Sequence, residues 1–183
     1  EQDLINETVG SQDQVNAAYG GLNRIQFRKS AEIIVDPIIL PKERLEGLDQ
    51  NLMLFYTGIT RTAEKVAKSY VKNIQAKEKQ LVRMNAMVDE AIEIMINGDL
   101  DDFGLQLNKA WQEKRSLSKL VSNSQVDGIY NSALSAGALG GKLSGAGGGG
   151  FLLLYVPVEK QTDVKQKLSH LLHVPFSFEP TGS

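Results

Sequence analysis

The segment "GALGGKLSGAGGGGFLLLYV", residues 137–156, constrains this chain more than any other stretch. Eight of its first fourteen residues are glycine, a lysine stands among them, and an unbroken apolar run follows. A run of that kind is a flexible linker, a tight structural turn or a backbone cradle for an anion. The linker reading is the weakest, because "FLLLYV" must be buried and so enters a core directly from the glycines. Where side chains are missing, backbone N–H groups can approach a ligand closely, and glycine also reaches the positive φ values that tight turns need. On these residues alone, anion contact and a structural turn both stay open.

Two well-known phosphate patterns do not fit. The Walker pattern needs Gly, four residues, then Gly-Lys-Ser/Thr; here Leu143 follows Gly141-Lys142 and Ala136 stands where the first Gly belongs. Gly145, Gly147 and Gly150 meet G-x-G-x-x-G formally. That fingerprint works by placing a strand before the loop and a helix after it, so that pyrophosphate meets the helix N-terminus. Here the pattern reads helix, glycines, strand, which is the wrong context.

The remainder reads as an α+β chain. A helix is expected over 3–19, ending at Gly20-Gly21, and "LNRIQFRK" with "AEIIVDPI" alternates as two strands around a turn near Ser30. Pro37 and Pro41 punctuate the exit and mark the best boundary, giving pieces of 1–38 and 39–183. "NLMLFYTGI" is a buried strand closed by Thr57-Gly58. Four helices follow. Ala63, Val66, Ala67, Tyr70, Val71 and Ile74 share one face; Leu81, Met84, Val88, Ala91, Ile92 and Met95 share the next. Asn97-Gly98-Asp99 stops one helix and caps another, which carries Leu100, Phe103, Leu107, Ala110 and Trp111; residues 124–136 make the fourth. After "FLLLYVPV" come a helix with Val164, Leu168, Leu171 and Leu172 inward and a last strand, "VPFSFEP". His170 and His173 are read as surface residues of that helix.

Composition narrows the classes. The 183 residues are 42% hydrophobic and 23% charged, with formal net charge −2, so no basic field argues for nucleic acid or acidic lipid. There is no cysteine, which excludes disulfides and thiolate chemistry and favours a reducing, cytoplasmic setting. No apolar stretch approaches the roughly 20 residues of a membrane helix. "EQDLINETVG" is acidic, polar and lacks an initiating Met, so the chain is expected to begin partway through something larger.

The glycine segment resembles the third motif of the GHMP kinases, Gly-Ala-x-Gly-(Gly/Ala)-Lys-x-(Ser/Thr)-Gly-Ala-Gly-x-Gly-Gly followed by a hydrophobic strand, along its whole length. The resemblance implies an ATP-dependent sugar kinase. Gly140, Gly141, Lys142, Ser144, Gly145, Ala146, Gly147, Gly148 and Gly149 would lie near the nucleotide phosphates. It also implies a ferredoxin-like C-terminal domain with extra helices over 39–183, preceded by the last helix and hairpin of an N-terminal domain over 1–38.

"GSQDQVNAAYGG", residues 10–21, resembles the family helix that supplies the catalytic aspartate, which would be Asp13. A carboxylate facing a sugar hydroxyl accepts or polarises its proton during attack on the γ-phosphoryl group. Gly10 and Ala17, small and one turn away, would leave room for substrate.

"FYTGITRTA" and "WQEKRSLS" are similar to the branch acting on heptose phosphates and L-fucose. The resemblance makes Thr57, Gly58, Thr60, Arg61, Lys114 and Arg115 substrate-binding candidates; taken singly, Lys114 and Arg115 would read as a solvated helix end. The acceptor implied is C1 of a heptose 7-phosphate, with L-fucose as the alternative. The family's principal phosphate loop and its Mg²⁺-binding Ser and Glu have no counterpart here. Mg²⁺ would therefore be held by a missing N-terminal half, no metal ligand is expected within this chain, and the chain alone is expected to be inactive. A non-catalytic module that keeps the glycines for structure is the rival from another class. Self-association stays open.

Overall fold

The computed structural model describes residues 10–60, 63–71 and 74–182. Helix α1 (Gln12–Tyr19) leads into the hairpin β1 (Asn23–Phe27) and β2 (Ile33–Pro37), which pair antiparallel from Asn23↔Pro37 to Phe27↔Ile33. The hairpin turns at Ala31, a non-glycine residue at φ 64°. Then follow α2 (Lys42–Asn51), β3 (Leu52–Tyr56), α3 (Ala63–Val71), α4 (Glu78–Asn97), α5 (Leu100–Leu117), α6 (Ser124–Ser135), β4 (Gly140–Leu143), β5 (Phe151–Tyr155), α7 (Gln161–Lys167) and β6 (Leu172–Val174).

The second sheet has the order β4-β5-β3-β6, and every neighbouring pair is antiparallel. Its strands run β3, helices, β4, β5, helix, β6 in sequence, which is the split βαβ arrangement of ferredoxin-like folds with added helices. Strand β3 sits inside the sheet and alternates, burying Met53 and Phe55 on one face. Leu152 and Leu154 of β5 join them, and Trp111 of α5 and Tyr130 of α6 close the core above. A smaller cluster around Leu48, Met95 and Tyr155 gathers Leu22, Ile38 and Phe178, tying the hairpin and the C-terminal tail to the helical layer. The Gly21 amide donates to the Glu179 carbonyl at 2.7 Å, and Arg24 pairs with Asp89 of α4 at 2.7 Å.

Helix punctuation follows the sequence closely at Asn97-Gly98-Asp99. The Gly98 amide returns to Ile94 O, and the Asp99 carboxylate accepts from the Asp101 amide at 3.0 Å. Arg44 adds a clamp that local sequence does not show. Its guanidinium donates to the carbonyls of Met95 at 2.6 Å and of Ile94 and Gly98 at 2.8 Å, satisfying the orphan C-terminal carbonyls of α4.

Four expectations need correction. Helix α2 was not anticipated, because "KERLEGLDQN" is short and polar with a glycine in its middle; it forms by burying Leu48 behind Pro41, with Gly47 only 3.1 Å short of Leu100 for any Cβ. On α4 Met87 is buried along with the expected Met95, whereas Val88, assigned to the inner face, is 45% exposed. Helix α7 ends at Lys167, so Leu172 and His173 are not helical. Residues 172–174 instead take the open edge of β3, with His173 opposite Phe55 and their rings 5.2 Å apart. Leu172 then points away, 64% exposed, and the expected strand beyond Val174 is irregular chain. Edge pairing satisfies backbone groups that another helical turn would leave open on β3. Residues 3–9 of the expected first helix lie outside the described residues.

Candidate functional site

The glycine segment divides into two parts with different physics. Gly140 and Gly141 are buried strand residues of β4, hydrogen-bonded against Tyr155 and Leu154 of β5. A Cβ on Gly140 would fall on the Gly104 carbonyl and 2.7 Å from the Asn108 amide, both backbone of α5. Gly104 is the matching gap on the helix, where a Cβ would meet the Tyr155 ring at 2.6 Å. Helix and strand therefore touch backbone to backbone, and these glycines are packing residues. Tyr130 braces the same place: its hydroxyl donates to Asn108 Oδ1 at 2.9 Å, and burial pushes the phenol up to about 12 against the pull of a Gly141 backbone hydrogen bond and the Arg115 charge.

Residues Ser144–Gly150 form the loop joining β4 to β5. It turns through positive φ at Gly145 (68°), Gly147 (106°), Gly148 (82°) and Gly150 (89°). Two neighbouring segments pin it. The Gly148 amide donates to Val121 O at 2.8 Å, and Asn123 Nδ2 donates to Gly148 O at 3.2 Å. On the other side, the Gly150 amide donates to Ile59 O at 2.8 Å, while the Thr57 amide and hydroxyl both donate to Gly150 O, at 2.9 and 2.7 Å. A Cβ at Gly147 would meet Val121 O at 2.7 Å, and one at Gly149 would fall on Ile59 O. Gly145 has open space around it instead. Among the described residues, the amides of Gly145 and Ala146 donate to no carbonyl of the chain.

At this open tip the structure gathers charge. Lys114, near the end of α5, donates through Nζ to Gly145 O. Burial, then the neighbouring Lys142 charge, push its ammonium down to about 8, while Asp13 pulls the other way. Burial likewise lowers Lys142, opposed by Asp13. The exposed Asp13, in the first turn of α1, is thus within electrostatic reach of both lysines. Two half-buried ammoniums within electrostatic reach of one carboxylate leave local positive charge near two uncommitted amides, an arrangement suited to an anion.

The other candidates are placed less favourably for substrate contact. Thr57 is buried at 6% exposure, and its hydroxyl holds the loop. Gly58 and Thr60 are exposed just beyond it, and Arg61 lies outside the described residues. Arg115 pairs with Asp127 at 3.0 Å and donates to Gln112 Oε1 at 3.2 Å, beside an open cavity of about 510 Å³ that Lys114, Lys142 and Asp13 do not line. Ser144 is exposed, and its amide is committed to Phe151 O at 2.9 Å.

Comparison with known proteins bears on this geometry directly. Residues 87–171 match the family model described as GHMP kinases C terminal. The chain is 34% identical over 178 residues to a D-glycero-alpha-D-manno-heptose 7-phosphate kinase of Campylobacter jejuni, covering 94% of this chain and 52% of that protein. The chain carries the C-terminal fold of the GHMP kinases. It is also 28% identical over 177 residues to the bifunctional fucokinase/GDP-fucose pyrophosphorylase of Arabidopsis thaliana, covering 91% of this chain and 16% of that protein. Among solved structures, a D-glycero-D-manno-heptose 1-phosphate kinase from Bacteriodes thetaiotaomicron superposes with TM-score 0.74 at 22% identity, over 100% of this chain and 50% of that one. The chain thus spans about half the length of the heptose kinase that it matches.

Within this GHMP C-terminal fold, sequence reasoning missed the residues that shape the loop from outside it. Val121 and Ile59 act through carbonyls, which carry no side-chain signature. Asn123 did carry one: it precedes α6 and caps it, accepting from the amides of Gln125 and Val126 at 3.0 Å. Its second task, holding Gly148, needed the fold.

Proposed function

We propose that the whole protein is an ATP-dependent sugar kinase that transfers the γ-phosphoryl group to a sugar hydroxyl, with C1 of a heptose 7-phosphate as acceptor. The observation that supports this reading is the bond from Lys114 to the Gly145 carbonyl of the glycine loop, with Asp13 within electrostatic reach of Lys114 and Lys142. In it, the Asp13 carboxylate accepts the proton of the attacking hydroxyl, and Lys142 with the Gly145 and Ala146 amides holds phosphate oxygens. Such positioning and charge stabilisation is most of what phosphoryl transfer asks of a protein. Residues 1–38 complete an N-terminal domain, residues 39–183 form the C-terminal domain, and the principal phosphate loop belongs to a part of the protein outside this sequence.

Magnesium, when bound, would neutralise charge on the transferring phosphates. The reading assigns its ligands, as the family resemblance implies, to that other part. The 183-residue chain alone is accordingly expected to release no ADP with any sugar; sugar-dependent turnover by it would overturn that assignment.

The test is a sugar panel with the whole protein, ATP, and the Asp13→Asn variant. Heptose 7-phosphate should give the highest kcat/KM. Preference for L-fucose would move the reading to the fucokinase side, and no turnover with any sugar would favour a binding module. Asp13→Asn should lower kcat by roughly 10²–10⁴-fold, toward the lower end for a loose transition state, with nucleotide affinity little changed. A loss under about threefold would remove Asp13 from the role of base.

A further inference from the structure

The ties that hold the glycine loop are distributed unevenly. Gly148 and Gly150 are each fixed through both amide and carbonyl, by the Val121, Asn123, Ile59 and Thr57 contacts. Toward the other end, the Ser144 amide bonds Phe151 O at the root of the hairpin. Between these anchors lies Gly145, at φ 68° with open space around it, and its carbonyl accepts from Lys114 Nζ. Lys114 stands three residues beyond the buried Trp111 on α5, so its backbone is fixed by the core. A rigid helix therefore reaches across to the least supported point of the loop.

We propose that Lys114 is a positioning residue, which sets the conformation of the loop tip from helix α5 through the Gly145 carbonyl. This differs from direct contact with the sugar. An ammonium bound to a carbonyl is a charge-assisted bond, and the carbonyl it orients belongs to the peptide that carries the Ala146 amide. Holding the Gly145 carbonyl therefore holds that donor as well. The consequence for nucleotide binding rests on the kinase reading above, whereas the effect on the loop does not.

The experiment uses the whole protein with Lys114→Met and Lys114→Arg, and reads backbone ¹⁵N order parameters together with steady-state kinetics. In Lys114→Met the order parameters of Gly145 and Ala146 should fall from about 0.85 to below about 0.6, while Gly148 and Gly150 stay rigid. KM for ATP should rise about 5- to 30-fold with the sugar KM nearly unchanged. Lys114→Arg, which keeps a charged donor, should recover most of both. Should the Met variant fail to fold, Lys114→Leu carries the same measurements. Unchanged order parameters at the tip, or an Arg variant as mobile as the Met variant, would overturn the proposal. So would a loss confined to the sugar KM, which would make Lys114 a substrate contact. If the whole protein turns over no sugar, the kinase reading falls and the order parameters still decide the role of Lys114.

Discussion

Gly140–Leu143 and Ser144–Gly150 are adjacent and glycine-rich, yet their glycines serve different ends. In the first, the absent side chains let a β-strand lie directly on helix α5, and Gly140 and Gly104 face each other across the contact. In the second, they let the backbone turn through positive φ and thread between the carbonyls of Val121 and Ile59. The first half is intolerant of volume because backbone cannot move aside. The second is graded: tight at Gly147 and Gly149, open at Gly145. Composition alone therefore says little about which glycine meets a ligand.

The largest effect is expected at Gly140. Gly140→Val drives a branched side chain into helix backbone, and should destabilise by about 3 kcal/mol or more, the upper range for overpacking. Gly140→Ala should show the same direction in urea unfolding if the valine variant is insoluble. An alanine variant that unfolds at the wild-type midpoint would remove the distinction between the halves.

Gly147→Ala comes next. A strained φ of 106° and the nearby Val121 carbonyl should together cost about 1–3 kcal/mol. Gly145→Ala sharpens the contrast: it has room for the methyl, so its cost should be about 1 kcal/mol, from positive φ alone. Under the kinase reading its larger consequence is weaker ATP binding. Melting temperature and nucleotide Kd measured on both variants separate the cases. Equal melting temperatures would mean that the loop is uniformly tolerant.

The smallest effect is electrostatic. Lys114 titrates near 8, below an ordinary lysine, so between those values the unfolded chain binds more protons than the folded one. This group therefore makes stability rise with pH from about 8 toward the usual lysine range near 10.4. Lys142→Met removes the like charge and should raise the Lys114 pKa partway, since burial is the larger cause. Asp13→Asn should lower it. Titration of the lysine side-chain resonances by NMR reads both shifts, and no movement in either variant would separate Lys114 from the cluster.

Much of the fold was legible locally. The stop and cap at Asn97-Gly98-Asp99, the alternation of β1 and β2, and the apolar run of β5 each depend on neighbours in sequence, and each appears where its residues stand. Helix α2 was not legible, because its polar sequence is held by one buried leucine and by the loan of Arg44 to the end of α4. Strand β6 was not legible either: Leu171 and Leu172 fit a helical face equally well, and the vacant edge of β3 decided otherwise.

Of the site, the sequence by itself determined its ingredients: a glycine-rich hairpin loop with a lysine at its entry, an aspartate at the start of a helix, and a lysine near the end of another. Those follow from residue identity and from chain-local rules of capping, periodicity and glycine freedom. Tertiary structure alone decided which glycines pack and which stay open, and withdrew Thr57 and Arg115 into bonds with Gly150 and Asp127. It also decided that Lys114, 31 residues from Gly145 in sequence, reaches its carbonyl. The reason is physical. Hydrogen bonds and desolvation act over a few ångströms in space, and distances between residues far apart along the chain are set by how the core closes, which no local pattern records.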